Sequence, residues 1–445
     1  MLQRFWHKYK REIILFAILM TVVLLVTKLF QSVSPVYARY ALRMIIGGIV
    51  DILVFLLIKR TFFKYQPKSR KRLFPFLYFI PEILLLIMLF IISVIVPLHE
   101  WPPLFRSVIT GLTLVLFYCK VLMYFTILIG FIHVWIGKHR SFYRQGGNVL
   151  RIYVRIGVIF AISTFLVYLI SIPIGQRKLE INSIEVPVQN LPVSFDNYKI
   201  VHISDLHFGS LYSTKRFNKI VDSINSLEPD MLCITGDFVI HNAEEAIPFM
   251  PVLKRLKAKD GILCVLGNHD YMAYSYFKGE KPGDETKLVN LLTDELGWIF
   301  LNNETHSIQR ENDSLIFAGV ENISLNPYFE SKGDIEKTLL GVNPVQPVVL
   351  LLHDPSVWQS KVVSGHTFVS LTLSGHTHGL QYFIPSEKFI NFVYKVTKKH
   401  QKGLYQSDNQ YLYINGGIGS TMLHGRLGSR MEITEIKLVL SDDNQ

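Results

Sequence analysis

The sequence predicts two joined parts: an all-α transmembrane region of five helices over residues 1–175 and an α/β domain over residues 179–445. Three observations carry this. Of the 445 residues 49% are hydrophobic and only 18% charged, which excludes a disordered or fibrous chain. The charge divides at residue 178, with 23 Lys+Arg against 4 Asp+Glu before it and 23 against 31 after it. Beyond that divide, short β-branched runs alternate with helical patterns, as in a sheet covered by helices.

Five apolar stretches, at about 13–30, 41–58, 74–98, 107–136 and 152–174, are each near or above the roughly 18 residues that cross a bilayer as helix. The connecting segments alternate in Lys+Arg content: four, two, seven, one, five and two. Summed by side this is 16 against 5, which places the N-terminus in the cytoplasm and, after five crossings, the second part outside it. Val36-Tyr37-Ala38 has the look of a signal-cleavage site, but the apolar run before it is long and four more follow. Because the basic excess lies wholly in the apolar part, it reports membrane orientation, and no nucleic-acid partner is expected. Asp51, Glu82 and Lys120 fall inside apolar stretches. They read either as a transport relay or as an ion pairing between helices.

In the second part, Lys199–Asp205, Met231–Asp237, Gly261–Asn268, Val348–His353 and Phe368–Ser374 read as buried strands. Helical patterns fall near 214–227, 243–258, 284–296 and 355–362, a hairpin at 298–320, and a last strand at Ser429–Leu440. Cys119, Cys233 and Cys264 form no disulfide framework. Cys233 and Cys264 sit at the same depth in neighbouring strands and read as buried thiols, with a bridge as the alternative.

The ends of these strands carry the chemistry. They finish in Ser204-Asp205-Leu206-His207, Gly236-Asp237, Gly267-Asn268-His269-Asp270, His353-Asp354 and Ser374-Gly375-His376-Thr377-His378-Gly379. Carboxyl ends of strands in α/β sheets are where ligand sites assemble. Imidazole nitrogens and carboxylate oxygens suit borderline divalent ions, and the absence of thiolates argues against a structural zinc site. In Asp205-x-His207 and His376-x-His378 the two-residue spacing lets both side chains of an extended segment point one way. Each cluster alone is commonplace; five in this order in one domain point to a metal site.

The order Asp-x-His, Gly-Asp, Gly-Asn-His-Asp, His, Gly-His-x-His resembles the signature of the calcineurin-like metallophosphoesterases, over roughly residues 183–440. The bacterial membrane-associated branch is most similar, through ISDLHFG, VLGNHD, SGHTHG and Ile414–Ser420. The resemblance implies a four-layer αββα sandwich with two divalent ions, Mn, Fe or Zn, at its edge. One ion would be held by Asp205, His207, Asp237 and His378, the other by Asp237, Asn268, His353 and His376, with Asp237 bridging. His269 would contact the phosphate and protonate the leaving oxygen. Two departures stand out: Ile240, followed by His241, occupies the place of a frequent second acid, and Gly379-Leu380-Gln381 replaces Gly-Gly-Gln.

Such a pair of ions activates water for in-line attack on phosphorus, so no phosphoenzyme is expected. The segment 383–404 interleaves aromatic and aliphatic residues with Lys388, Lys395, Lys398, Lys399 and Lys402, a basic patch in an acidic domain suited to a lipid surface or to an ordinary solvated lid. Tyr271–Phe277 reads either as a second aromatic wall of the pocket or as aromatics packed into the core. A linker of about ten residues, reaching roughly 35 Å at most, keeps the domain near the bilayer. The expected function is therefore a membrane-anchored phosphoesterase acting on a phospholipid, a nucleotide-linked lipid or another envelope phosphoester. The alternative is a transport or sensing protein whose metal domain binds without turnover.

Overall fold

The structure, a computed structural model, describes scattered positions between 51 and 91 and then residues 101–137, 146–175, 178–211, 213–271, 285–325, 329–381, 387–397, 400–421 and 425–441. The chain divides into two compact units, one holding most residues up to Leu169 and the other essentially everything from Ile170 onward.

Helices α1 (Pro103–Gly137) and α2 (Gly146–Gly175), most of whose residues belong to the first unit, are long and apolar enough to cross a membrane, over Leu114–Val134 and Val149–Ile172. Only 33% and 17% of these windows are buried, the reverse of a helix at the core of a soluble domain. Small residues let the two helices approach: a Cβ on Gly130 would stand 2.8 Å from the Tyr153 side chain. The expected spans at 13–30, 41–58 and 74–98 lie wholly or largely outside the described residues. The three intramembrane charges do come together. Lys120 Nζ lies 3.2 Å from Asp51 Oδ2, 2.6 Å from Glu82 Oε2 and 4.1 Å from the Tyr78 ring centre. Tyr78 donates to Asp51 at 2.6 Å, and the Tyr124 hydroxyl donates to the same oxygen. That is the ion pairing between helices, one ammonium shared by two carboxylates, with the Tyr78 and Tyr124 hydroxyls also donating to Asp51.

The second unit contains twelve described strands: β1 (Leu179–Val188), β2 (Tyr198–Ile203), β3 (Met231–Thr235), β4 (Gly261–Val265), β5 (Ile299–Phe300), β6 (Glu304–Arg310), β7 (Asp313–Val320), β8 (Val348–Leu352), β9 (Val369–Ser374), β10 (Gly403–Ser407), β11 (Gln410–Ile414) and β12 (Met431–Leu440). They form two six-stranded sheets, ordered β1-β12-β2-β3-β4-β5 and β10-β11-β9-β8-β7-β6. Pairings are parallel except at β12–β2, β10–β11 and β6–β7.

Alternation along each strand builds the layers. Ile200, Met231, Cys233, Leu263 and Val265 face Phe317, Val349, Leu351 and Leu371 across the space between the sheets. Val201, Ile203, Leu232, Ile234 and Cys264 point the other way, under helix α3 (Thr214–Ser226) and helix α4 (Glu285–Leu296). Helix α3 buries Phe217, Ile220, Val221 and Ile224, one face at helical spacing, each contributing about 1.5–3 kcal/mol. Short helical turns around Ile335, Leu339 and Trp358 cover the outer face of the other sheet.

Several expectations need correction. Cys233 pairs with Leu263 while Cys264 pairs with Ile234, so the two thiols leave opposite faces of the sheet and cannot bridge. The helix expected over 243–258 is a 3-10 stretch, Ala243–Phe249, and one α turn, Met250–Leu253; Pro248 and Pro251 have no N–H to carry a longer ladder. The helix expected over 355–362 is a tight turn, Pro355–Val357, followed by a wide π turn, Trp358–Val363. The ten-residue linker is in fact strand β1, all ten residues of which pair in parallel with β12, so only three residues separate α2 from the sheet. The segment 383–404 contains helix α5 (Glu387–Thr397) and leads into the β10–β11 hairpin.

Candidate metal centre

Every expected ligand lies just beyond a strand end, in loops held by their neighbours. The loop after β2 runs parallel to the loop after β3: Asp205 N donates to Gly236 O at 3.0 Å and His207 N to Asp237 O at 2.9 Å. Asp205, His207, Asp237, His376 and His378 all have φ between 38° and 68°. Left-handed backbone costs a non-glycine residue about 1–3 kcal/mol and clusters at functional sites, because it turns successive side chains into one space. Room for this comes from Gly375, where a Cβ would stand 1.9 Å from Ser204 Oγ and 2.3 Å from an Asp205 oxygen.

The side chains converge. Potential ligand atoms of Asp205, His207, Asp237 and His378 lie within 4.8 Å of one another, and those of Asp237, His353 and His376 do likewise; Asp237 belongs to both groups. Asn268 Oδ1 is 3.3 Å from His353 Nε2, which is 3.3 Å from Asp237 Oδ2. His207 Nε2 faces His378 Nε2 at 3.2 Å and Asp237 Oδ2 at 3.5 Å.

The chemistry of this donor set fits a cation. His207 Nδ1 is 3.0 Å from the Val239 carbonyl and His353 Nδ1 is 2.6 Å from the Thr235 carbonyl. A carbonyl only accepts, so both Nδ1 atoms donate and each ring turns its Nε2 inward; at His353 burial acts downward, but Asp237 and Asp205 outweigh it and push the cation-free ring up to about 10. Burial pushes His207 down to about 3 and, with His207 and Arg426 nearby, holds His378 well below the usual imidazole range. Both are therefore neutral, as ligation requires. Burial raises Asp205 to about 6. For Asp237 burial acts upward too, but the His353, His269 and His207 rings outweigh it and hold the carboxyl well below its ordinary value. Carboxylates and inward nitrogens packed this tightly are a donor set that a divalent cation would balance.

His269 is placed differently. Its N–H donates to Asp237 Oδ1 at 2.8 Å and its Nδ1 to the Ile240 carbonyl at 3.1 Å, while its ring stands edge-on to His207, 4.9 Å between centres. It is only partly buried, unlike His207 and His353, which are 0% exposed. That suits a group serving substrate rather than a ligand.

Four other residues organise the site without having been assigned a role by sequence. Asp270 accepts from the backbone N–H of Gly267, Asp237, Phe238 and Val239, tying two ligand loops together. Buried Glu245 accepts from Ile240 N and His241 N, and so anchors the loop where the frequent second acid is missing. Asp354 stands 3.7 Å from His376 and accepts from Ser324 and Ser356. Arg426 donates to the carbonyls of Gly416, Gly419 and Arg430, shaping the turn whose Gly417 abuts Asp205. Asp270 and Asp354 stood in the motifs as neighbours of ligands; Glu245 and Arg426 lie in stretches without a local signal. Lys402, expected in the exposed basic patch, turns inward with its side chain 9% exposed and pairs with Glu432 at 2.9 Å.

Comparison with known proteins agrees with this geometry. The calcineurin-like phosphoesterase family profile matches residues 198–380. A transmembrane protein with metallophosphoesterase domain from Bos taurus is 31% identical over 262 residues, 58% of this chain and 56% of that one. This chain thus spans little more than half the length of that relative. A metallophosphoesterase of Bacillus subtilis is 29% identical over 56% of this chain and 81% of its own length. The UDP-2,3-diacylglucosamine pyrophosphatase of Chlamydia trachomatis is 24% identical over 60% and 93%. With its ligand loops on the parallel strands of two packed sheets and a matching profile across them, the stretch 198–380 is a calcineurin-like phosphoesterase domain.

Proposed function

We propose that this protein is a membrane-anchored hydrolase of phosphoesters that works with two divalent metal ions. The observation carrying this is the shared position of Asp237 between two groups of inward-facing carboxylate, imidazole and amide donors. Asp205, His207, Asp237 and His378 would hold one ion; Asp237, Asn268, His353 and His376 would hold the other. Such a pair supplies hydroxide near neutral pH and neutralises charge on the phosphoryl oxygens. The chain's own contribution is orientation and proton delivery. Val239 and Thr235 carbonyls fix the ring faces of His207 and His353, and the Asp270 carboxylate fixes the loops bearing Asp237 and Asn268. His269, whose Nδ1–H donates to the Ile240 carbonyl, would in its imidazolium form give the Nε2 proton to the departing oxygen.

The substrate reading is a lipid phosphoester or pyrophosphate of the cell envelope, with the N-terminus cytoplasmic and the catalytic domain on the opposite side. Support comes from the basic-loop asymmetry, from the lipid-nucleotide pyrophosphatase among the relatives and from the spacing of α2 and β1. Three intervening residues reach roughly 14 Å, which confines the domain to the membrane surface.

The test uses the full chain in detergent, assayed with Mn²⁺ on an aryl monoester, a bis-aryl diester and a nucleoside-diphospho-lipid. Metal-dependent turnover of at least one, abolished by chelation and by Asp237→Asn, is expected. No metal-dependent turnover of any, or full activity in Asp237→Asn, overturns the assignment.

A further inference from the structure

Helix α5 presents a stripe that the proposed chemistry does not use. Lys388, Asn391, Phe392 and Lys395 are exposed, and their spacing of three, four and seven residues puts them on one side of the helix. Phe392 is 60% exposed, while Ile390 and Val393 are half-buried. An aromatic ring between two lysines is out of keeping with a domain carrying 31 acidic and 23 basic residues. Within 383–404 the balance reverses: setting aside Lys402, which pairs with Glu432, four Lys stand against the single Glu387.

We propose that this stripe docks on the anionic surface of the bilayer, with Phe392 entering the headgroup boundary and Lys388 and Lys395 beside lipid phosphates. Charge complementarity selects that occupant. An exposed phenylalanine gains from apolar contact, its flanking ammonium groups gain from negative headgroups, and one surface offers both within a helical turn. The short connection after α2 keeps the domain within reach of that surface. This docking is independent of whether the metal centre turns over.

Phe392→Cys in the full chain tests it. Cys119, Cys233 and Cys264 are buried, so a polarity-sensitive maleimide marks position 392. The chain is reconstituted into phosphatidylcholine discs with and without phosphatidylglycerol, together with headgroup-spin-labelled lipid. Blue-shifted, quenched emission is expected in the anionic discs only, and it reverses at high salt. Adding Lys388→Gln and Lys395→Gln should lower the docked-to-free ratio about thirtyfold, two lysines at about 1 kcal/mol each. An unchanged melting profile shows that these exposed substitutions leave the fold intact. A probe that stays in water in both discs, or one shielded equally in zwitterionic discs or in lipid-free detergent, overturns the proposal. The last result would assign the stripe to a protein contact.

Discussion

Lys402→Met removes the one cation from a buried cluster, and its cost follows from the geometry. Glu432 is fully buried and accepts from Tyr413 OH at 2.5 Å, Asn182 Nδ2 at 3.0 Å, Thr434 Oγ1 at 3.0 Å and Gly416 N at 2.9 Å, besides pairing with Lys402 at 2.9 Å. Burial raises the Glu432 carboxyl, but Lys402 and these donors outweigh it and keep the group ionised. Methionine fills most of the lysine stem's space, so packing changes little. What is lost is the counter-charge, and an uncompensated buried carboxylate costs about 3–5 kcal/mol. At about 2–4 °C per kcal/mol for a domain of this size, the melting temperature should fall by roughly 6–20 °C. The remaining donors place the result at the lower end. Differential scanning fluorimetry of the solubilised chain at neutral pH reads this directly. Lys402→Met with Glu432→Gln should recover part of the loss, because the charge is gone. A shift under about 2 °C in the single variant, or no recovery in the double, refutes the assignment of Lys402 to the interior.

Three further outcomes are expected. His269→Gln should lower turnover about 10²- to 10⁴-fold with metal content unchanged by elemental analysis, as the proposed role of the ring toward substrate requires; loss of metal would make it a ligand instead. Gly375→Ala drives a methyl into Ser204 and Asp205, so metal affinity by chelator competition should weaken about 10- to 100-fold; an unaltered affinity would mean the Asp205 loop is not rigid. For Asp230, burial acts upward, but the Lys199 amide and the Lys259 ammonium hold its carboxyl below the usual range. A depressed folded pKa contributes stability that is complete above the unfolded value of about 3.9 and lost as pH falls through the folded one. Asp230→Asn should therefore melt lower than the parent at neutral pH, and the gap should close below about pH 4; a gap constant with pH contradicts this.

Residues whose environment is local were legible in the sequence. The apolar runs of β2, β3, β4, β8 and β9 are buried on both faces, so they read as strands, and each ligand cluster follows its strand directly. Strand β1 was hidden because it is an edge strand with a polar alternating face, and its ten pairings are to residues some 250 positions away. Cys233 and Cys264 looked alike by depth, but a register offset of one residue sends them to opposite faces.

What the sequence alone determined is the inventory: an apolar, basic part, an acidic α/β part, and seven candidate ligands with a histidine beside them. These follow from hydropathy, charge and motif order, all of which are local. Only the tertiary structure decided which charges meet, as in Lys120 with Asp51 and Glu82, or Lys402 with Glu432. It also decided which lone pairs point inward and that Glu245 and Arg426 brace the ligand loops. The physical reason is that buried polar groups are satisfied by whatever the fold brings near. That proximity is set by sheet register and loop packing, not by position along the chain.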